Sequence, residues 1–165
     1  MALFYRSERI GKNGKPFTLW KIRTLKEGID KMSSFVQENQ YTPLGRFLRK
    51  TKIDELPQII CLLRGQINIV GPRAEEARSI SVLPEDIRER LLSVKPGLTS
   101  LASVGFFNEE EILKKVSDPA ALYWKEIKPM KIALDLFYIE NKCLILDLAI
   151  IYMTVKRVIL SFFHV

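Results

Sequence analysis

A stripe of apolar residues runs along the last part of this 165-residue chain, between Cys143 and Phe163. Its members recur at steps of four and three, which predicts one helix with a broad apolar face. They are Leu144, Leu148, Ile151, Val155, Val158 and Phe162. Asp147 interrupts a run that is already short, which argues against a membrane span. The segment is therefore interpreted either as a core helix or as a helix lying in a bilayer interface.

The first part of the chain has the pattern of a β-hairpin. The candidate strands are Phe4 to Arg9 and Phe17 to Thr24. Between them lies Gly11 to Lys15, where Asn-Gly is a strong signal for a hairpin turn. Alternation along the second strand is mixed, and its basic residues could form a solvated face or lie beside lipid headgroups.

Helical signals dominate the rest of the chain. The predicted helices are Gly28 to Glu38, Leu44 to Lys50 behind a Thr42-Pro43 cap, a third helix capped by Asp54 that ends before Gly65, Pro84 to Ser93, and most of the chain after Val104. Short extended segments are predicted at Ile67 to Val70 and Leu98 to Val104. These elements predict an α/β fold of the α+β type: one helix-rich domain over residues 1–165, with a small β-hairpin and amphipathic C-terminal helices.

Several chemistries are excluded by composition. The one histidine is His164, so catalysis by a Ser-His-Asp or Cys-His system has no base elsewhere in the chain. Cys61 and Cys143 are too few for a zinc site and are expected to be buried, reduced thiols. No P-loop and no dinucleotide-binding glycine motif is present.

The net charge of +7 is unevenly distributed. Residues 1–53 contain 12 of the 26 basic residues but only 4 of the 19 acidic ones, so the positive excess precedes Asp54. Such an excess predicts a polyanionic partner, either a phosphorylated ligand, a membrane surface or nucleic acid. No nucleic-acid-binding motif supports the last of these.

The segment from Gly45 to Arg73 concentrates residues suited to phosphoryl chemistry. Asp54 and Glu55 are adjacent carboxylates at a predicted helix N-terminus, where an ionised carboxylate or a phosphate is favoured. Arg49 precedes them, and Arg73 follows a Gly-Pro turn. A carboxylate held ionised near arginines and a divalent metal could attack phosphorus. From spacing alone, however, an ordinary helix cap explains the same residues.

In combination, these motifs resemble the signature of the bacterial sugar transferases, the monotopic polyprenol-phosphate phosphoglycosyl transferases. The matching segments are Arg9 to Phe17, Lys21 to Leu25, Thr42 to Arg49, Lys50 to Gln58, Leu62 to Arg73, Lys95 to Thr99, Leu134 to Ile139 and Leu146 to Leu148. The resemblance implies transfer of a sugar-1-phosphate from a UDP-sugar to polyprenol (undecaprenyl) phosphate, with release of UMP. This would be the first membrane step of glycan assembly, such as exopolysaccharide, capsule or lipopolysaccharide synthesis.

The resemblance also implies roles for individual residues. Asp54 would be the nucleophile that forms a covalent phosphosugar intermediate, and Glu55 its partner, with both carboxylates near Mg²⁺. The phosphate- and substrate-binding residues would be Arg49, Arg73, Asp135 and Asp147. The implied location is the cytoplasmic face of the bacterial inner membrane. The family's N-terminal re-entrant membrane helix is expected to be absent from this chain.

Residues 98–111 depart from the family pattern. Many relatives have an Asn-Gly-Arg stretch there, whereas this chain has no arginine and instead contains Glu109 to Glu111, which predict the first turn of a helix. The donor sugar therefore cannot be inferred from the resemblance. An alternative hypothesis is a non-catalytic basic membrane-binding module or an inactive fragment of the enzyme.

Overall fold

The structure, a computed structural model, describes residues 3–26 and 40–163. Helices predominate, and two two-stranded sheets accompany them, which confirms the helix-rich α+β prediction. The helix predicted for Gly28 to Glu38 and the histidine His164 lie outside the described residues.

The described elements follow one another in this order along the chain: β1 (Phe4–Ile10), β2 (Pro16–Ile22), α1 (Pro43–Lys50), a 3₁₀ helix (Ile53–Gln58), α2 (Ile59–Leu63), β3 (Asn68–Val70), α3 (Ala77–Ser81), α4 (Glu85–Leu92), β4 (Gly97–Thr99), α5 (Leu101–Gly105), α6 (Glu109–Leu113), α7 (Pro119–Leu122), a π-helical turn (Tyr123–Ile127), α8 (Lys128–Asn141) and α9 (Leu144–Phe163).

The predicted hairpin is confirmed. Strands β1 and β2 pair antiparallel, from Phe4 opposite Ile22 to Ile10 opposite Pro16. The turn needs two left-handed residues, and the Asn-Gly pair supplies them at φ 57° and 73°. These two residue types adopt this conformation at least cost. The other two strands, β3 and β4, pair in parallel.

The Thr42-Pro43 start of α1 is also confirmed. The hydroxyl of Thr42 accepts a hydrogen bond from the backbone N–H of Gly45 at 2.9 Å, and the ring of Pro43 occupies the first helical position. The helix ends where Lys52 adopts a left-handed conformation, φ 59°, which is uncommon for a residue with a side chain.

Two predicted boundaries are wrong. Asp54 does not cap a helix, because the 3₁₀ helix begins at Ile53, directly after the left-handed residue, and Asp54 lies inside its first turn. The segment Leu98 to Val104 is not extended throughout. Its strand ends at Thr99, and the Ser100 hydroxyl then accepts from the Ser103 N–H at 2.9 Å and starts α5.

Two clusters of buried apolar residues hold the described elements together. Phe17 and Leu19 of β2 pack with Cys61 of α2 and Ile67, which brings the hairpin against the 3₁₀ helix and α2. The second cluster joins β3, α5, α8 and α9 through Val70, Val104, Tyr138 and Ile150.

Helix α9 forms as predicted, and its buried side overlaps the apolar stripe only in part, since Ile151 of the stripe packs against the second cluster together with Leu146 and Met153. Ile150 is the fully buried apolar residue of the helix, whereas four stripe residues are exposed: Leu144, Leu148, Val155 and Phe162. No helix among the described residues is long and apolar enough to cross a membrane. Cys61 is buried as expected, but Cys143 is exposed because it lies in the link between α8 and α9.

Candidate active site

A cavity of about 580 Å³ opens beside the hairpin and the 3₁₀ helix. It brings together four residues predicted from the sequence: Arg49 of α1, Asp54 and Glu55 of the 3₁₀ helix, and Arg73 after β3. Helices α6, α8 and α9 complete its wall. The adjacent carboxylates therefore lie in a concave site together with both arginines, whose charges favour an anionic ligand.

Asp54 is the most buried acid of the site, with 2% of its surface exposed. Its Oδ1 is buried and has no hydrogen-bond partner among the described residues. The residue before the 3₁₀ helix, Lys52, is the left-handed one, and such sparsely populated backbone conformations concentrate at functional sites. A buried carboxylate oxygen without a partner is a polar group whose hydrogen bond or ion contact a bound ligand can supply.

Unlike Asp54, Glu55 forms an ion pair within the described residues. The Lys21 ammonium group donates to Glu55 Oε1 at 2.6 Å, and both side chains are mostly buried. Packing of β2 on the 3₁₀ helix brings this lysine in from a strand far away in sequence.

The two adjacent carboxyl groups are shifted in opposite directions. Burial raises the pKa of Asp54, and the neighbouring charge of Glu55 raises it further. The positive charges of Lys21, Arg49 and Lys52 lower it, but they do not outweigh the first two effects. Burial alone would raise the pKa of Glu55 too, but Lys21, Arg73 and Lys52 outweigh it and hold that pKa well below its usual range. Such a split separates the roles of two acids in one site.

Arg49 approaches the cavity in a fixed position. Its Nε lies 2.5 Å from Oε1 of Glu110, at the start of α6, and its guanidinium stands over the ring of Tyr41. Burial alone would lower the pKa of Arg49, but the charge of Glu110 outweighs it and raises that pKa. The guanidinium therefore stays cationic at any pH at which the protein is folded.

Arg73 follows the Gly71-Pro72 turn, and hydrogen bonds hold both its backbone and its side chain. Its N–H donates to Oδ2 of Asp135 on α8 at 3.1 Å, and its Nη1 donates to the Ser103 hydroxyl at 3.3 Å. Burial alone would lower the pKa of this arginine, but Glu55, Glu75 and Glu109 outweigh it. Helix α8 thus fixes the direction in which the arginine enters the cavity.

The other two predicted acids lie outside the cavity wall that the described residues form. Asp135 contributes to a small neighbouring cavity behind Arg73. Asp147, near the start of α9, accepts a hydrogen bond from Tyr138 at 2.7 Å, and Tyr138 also donates to the Val70 carbonyl at 3.3 Å. Neither acid lines the cavity, and each is connected to it only through hydrogen bonds to neighbouring residues. Direct substrate binding by either one therefore stays a prediction.

Sequence reasoning missed the ion pairs in and beside the cavity. The sequence pattern indicates only a basic face for Lys21. In the structure, Lys21 continues the buried side of β2 after Phe17 and Leu19, and this period of two is the signal that could have identified it. The other pairs join Arg49 to Glu110, Lys128 to Glu75, Lys131 to Glu109 and Arg9 to Glu76. Nothing in the local sequence links these partners.

Within the described residues, no group of three His, Cys, Asp or Glu side chains could hold a metal ion. The carboxylates of the site are instead divided among cations, apart from the unpartnered oxygen of Asp54. A divalent cation at this position would need further oxygens from a ligand.

Comparison with known proteins identifies the family. Residues 1–161 match the family model described as bacterial sugar transferase. The chain is 34% identical over 160 residues to the uncharacterized sugar transferase EpsL of Bacillus subtilis, covering 96% of this chain and 71% of EpsL.

Two further relatives are similar over nearly the whole chain. The UDP-glucose:undecaprenyl-phosphate glucose-1-phosphate transferase of Klebsiella pneumoniae is 35% identical, over 94% of this chain but only 32% of its own length. The exopolysaccharide production protein ExoY of Sinorhizobium fredii is 30% identical, over 97% of this chain and 71% of its own. With a family match that spans almost all of its residues, this chain belongs to the bacterial sugar transferase family.

Proposed function

We propose that this chain is a phosphoglycosyl transferase that moves a sugar-1-phosphate from a UDP-sugar to polyprenol (undecaprenyl) phosphate. The observation that carries the proposal is the unpartnered, buried oxygen of Asp54 in a cavity that also contains Arg49 and Arg73. Relatives whose names specify UDP-glucose and undecaprenyl phosphate support these substrate classes.

In the proposed reaction, the Asp54 carboxylate attacks the β-phosphorus of the donor. A bond forms between this oxygen and phosphorus, the bond from phosphorus to the UMP oxygen breaks, and UMP leaves with the electron pair. The polyprenol phosphate oxygen then attacks the same phosphorus and displaces the aspartate. Arg49 and Arg73 neutralise charge on the phosphoryl oxygens during both steps.

Glu55 has a different role from Asp54. Its carboxylate is held ionised by Lys21, 2.6 Å away, and its charge opposes ionisation of the neighbouring aspartate. The same two carboxylates fit a Mg²⁺ ion that arrives with the diphosphate, because Mg²⁺ is usually held by one or two carboxylates together with phosphate oxygens and water. When bound, Mg²⁺ would supply further neutralisation of phosphate charge.

The lipid acceptor requires an apolar approach to the site. Five side chains of the cavity wall are both apolar and exposed: Leu56, Ile59, Ile69, Trp124 and Val155. The exposed apolar residues of α9 continue from them and meet α1, where the rings of Phe162 and Phe47 lie 6.1 Å apart. A surface of this kind beside the cationic cavity suits the cytoplasmic face of the inner membrane, with the phosphate end of the lipid in the cavity.

The test is a mass measurement on the intact protein. After incubation with a panel of UDP-sugars and Mg²⁺, Asp54 is expected to carry a mass increment of one sugar phosphate, with an equal amount of UMP released. Asp54→Asn is expected to abolish both. Asp86→Asn, which makes the same change at an exposed position on α4, is expected to leave both intact.

The alternative function predicts another outcome. A non-catalytic membrane-binding module, or an inactive fragment, would bind anionic vesicles in a salt-dependent way yet show no adduct and no UMP with any donor. UMP release that persists in Asp54→Asn would instead eliminate the aspartate as nucleophile.

A further inference from the structure

Two neighbouring glutamates at the start of α6 extend to different helices. Glu109 pairs with Lys131 of α8, and Glu110 pairs with Arg49 of α1. All four side chains line the large cavity. Helix α6 therefore connects two helices that each supply a cation to the cavity wall.

Glu110 is itself held at both of its oxygens. Its Oε1 lies 2.5 Å from Arg49 Nε, and its Oε2 accepts from the hydroxyl of Tyr41 at 3.3 Å. Tyr41 is buried, with 6% of its surface exposed, and its ring lies beneath the Arg49 guanidinium at 6.0 Å. The three side chains form a closed cluster, in which the arginine is fixed by an ion pair and a ring.

The geometry of the contact matters because it uses Nε. A guanidinium carries five N–H donors, so one that is held at Nε can still present its terminal Nη pair to an oxyanion. Ordering a free arginine side chain costs conformational entropy, and a side chain that is already held avoids most of that cost on binding.

On charge alone, Glu110 would weaken anion binding rather than favour it. It is an anion near a cavity for phosphates, and by Coulomb's law like charges repel. A beneficial effect of this glutamate on anion binding can therefore come only from holding the arginine in place. The sign of the effect separates orientation from simple electrostatics.

We propose that Glu110 is a positioning residue, which holds Arg49 in the direction that receives the diphosphate of the donor. The proposal rests on the proposed function, since it takes a diphosphate as the ligand of the cavity. Glu110 does not touch the reacting atoms. Its effect passes entirely through Arg49, and it is lost when that arginine is absent.

The test is a double-mutant cycle on ligand affinity. The probe is inorganic pyrophosphate with Mg²⁺, measured by isothermal titration calorimetry on the full chain. Glu110→Gln is expected to weaken binding about fivefold, which is about 1 kcal/mol. In the Arg49→Ala background, the same change is expected to cause no loss or a small gain. Glu111→Gln removes a charge from the exposed neighbouring position and is expected to weaken nothing.

Thermal unfolding of each variant separates folding from binding, because only variants that retain the wild-type transition enter the cycle. If Glu110→Gln fails this criterion, Tyr41→Phe replaces it, since it releases the other glutamate oxygen, and it is expected to weaken binding in the same direction.

Three results would overturn the positioning role: tighter binding by Glu110→Gln, an equal loss in both backgrounds, or no pyrophosphate binding by the wild-type chain. Failure of the proposed function is a separate result. It would appear as Arg49-dependent pyrophosphate binding, coupled to Glu110 as expected, with no covalent adduct from any UDP-sugar.

Discussion

The ammonium group of Lys21 lies 2.6 Å from Oε1 of Glu55, and this pair joins the second strand of the hairpin to the 3₁₀ helix that carries both acids of the site. The contact fixes which of the two adjacent carboxyl groups has a cation of its own. Asp54 is left with an unpartnered carboxylate oxygen, whereas the carboxylate of Glu55 is ionised and its charge is balanced by Lys21.

Lys21→Met is expected to lower both stability and turnover. It leaves the largely buried Glu55 without its cation, which is expected to reduce the free energy of unfolding by about 2 kcal/mol. It also removes a charge that lowers the pKa of Asp54, which disfavours the ionised form of the nucleophile. Urea denaturation and UMP release measure the two effects. Lys12→Met, at an exposed turn position, is the control, and equal behaviour of the two variants would contradict the assigned role of the ion pair.

Asp135→Asn is expected to change the pH dependence of stability. Burial raises the pKa of Asp135 to about 7, against the hydrogen bond from the Arg73 N–H. An acid whose folded-state pKa lies above its unfolded value favours the folded state at low pH. That contribution is lost as pH rises from the unfolded pKa, near 4, through the folded one near 7. The wild-type chain should therefore lose stability relative to the asparagine variant over this range.

Melting temperatures between pH 4.5 and 8.5 measure that difference. The control is Asp86→Asn, which makes the same change on the exposed side of α4. A difference for Asp135→Asn that does not change with pH would show that its carboxyl group titrates in its ordinary range.

Local signals predicted the parts of the fold that depend on local geometry. Asn13-Gly14 has the two residues that a left-handed turn requires, and Thr42-Pro43 supplies a hydroxyl and a fixed φ at a helix start. Ser100 has the same kind of signal, because its hydroxyl caps the N-terminus of α5, although the sequence pattern predicted an extended segment there. Asp54 was predicted as a cap, but the left-handed Lys52 starts the 3₁₀ helix one residue earlier.

The pairing of charges could not be predicted in this way. The cavity brings together Asp54, Glu55, Arg49 and Arg73, which the sequence motif singled out. It did not indicate Glu110, which lies 61 residues from Arg49, because that contact depends on where α6 packs. Burial was equally hard to infer for α9. Its apolar residues surround most of the helix, so periodicity alone could not tell which side meets the core.

Gly45→Ala is expected to displace α1 and thereby Arg49. A Cβ at this position would lie 2.6 Å from the Thr42 hydroxyl oxygen and 2.7 Å from the carbonyl carbon of Thr24, and backbone atoms cannot yield cheaply. The expected loss is about 3 kcal/mol in the free energy of unfolding, as for other overpacked sites. Gly105→Ala is the control. Its Cβ would meet only the end of the Leu134 side chain, so the change should stay within about 1 kcal/mol. Equal losses would show that the helix does not depend on this close approach.

Leu148→Asn is expected to weaken binding to anionic vesicles without affecting the fold. Leu148 lies on α9 with 57% of its surface exposed, so little core packing is lost when it becomes polar. If this surface enters the headgroup region, removing one leucine costs about 1.5 kcal/mol, or about tenfold in partitioning. Val82→Asn provides the comparison, because Val82 is 72% exposed at the end of α3, outside the apolar surface of α1 and α9. Sedimentation with vesicles of phosphatidylglycerol measures both variants. Equal weakening would mean that membrane contact is not confined to α9 and its surroundings, whereas no weakening in Leu148→Asn would place this helix away from the bilayer.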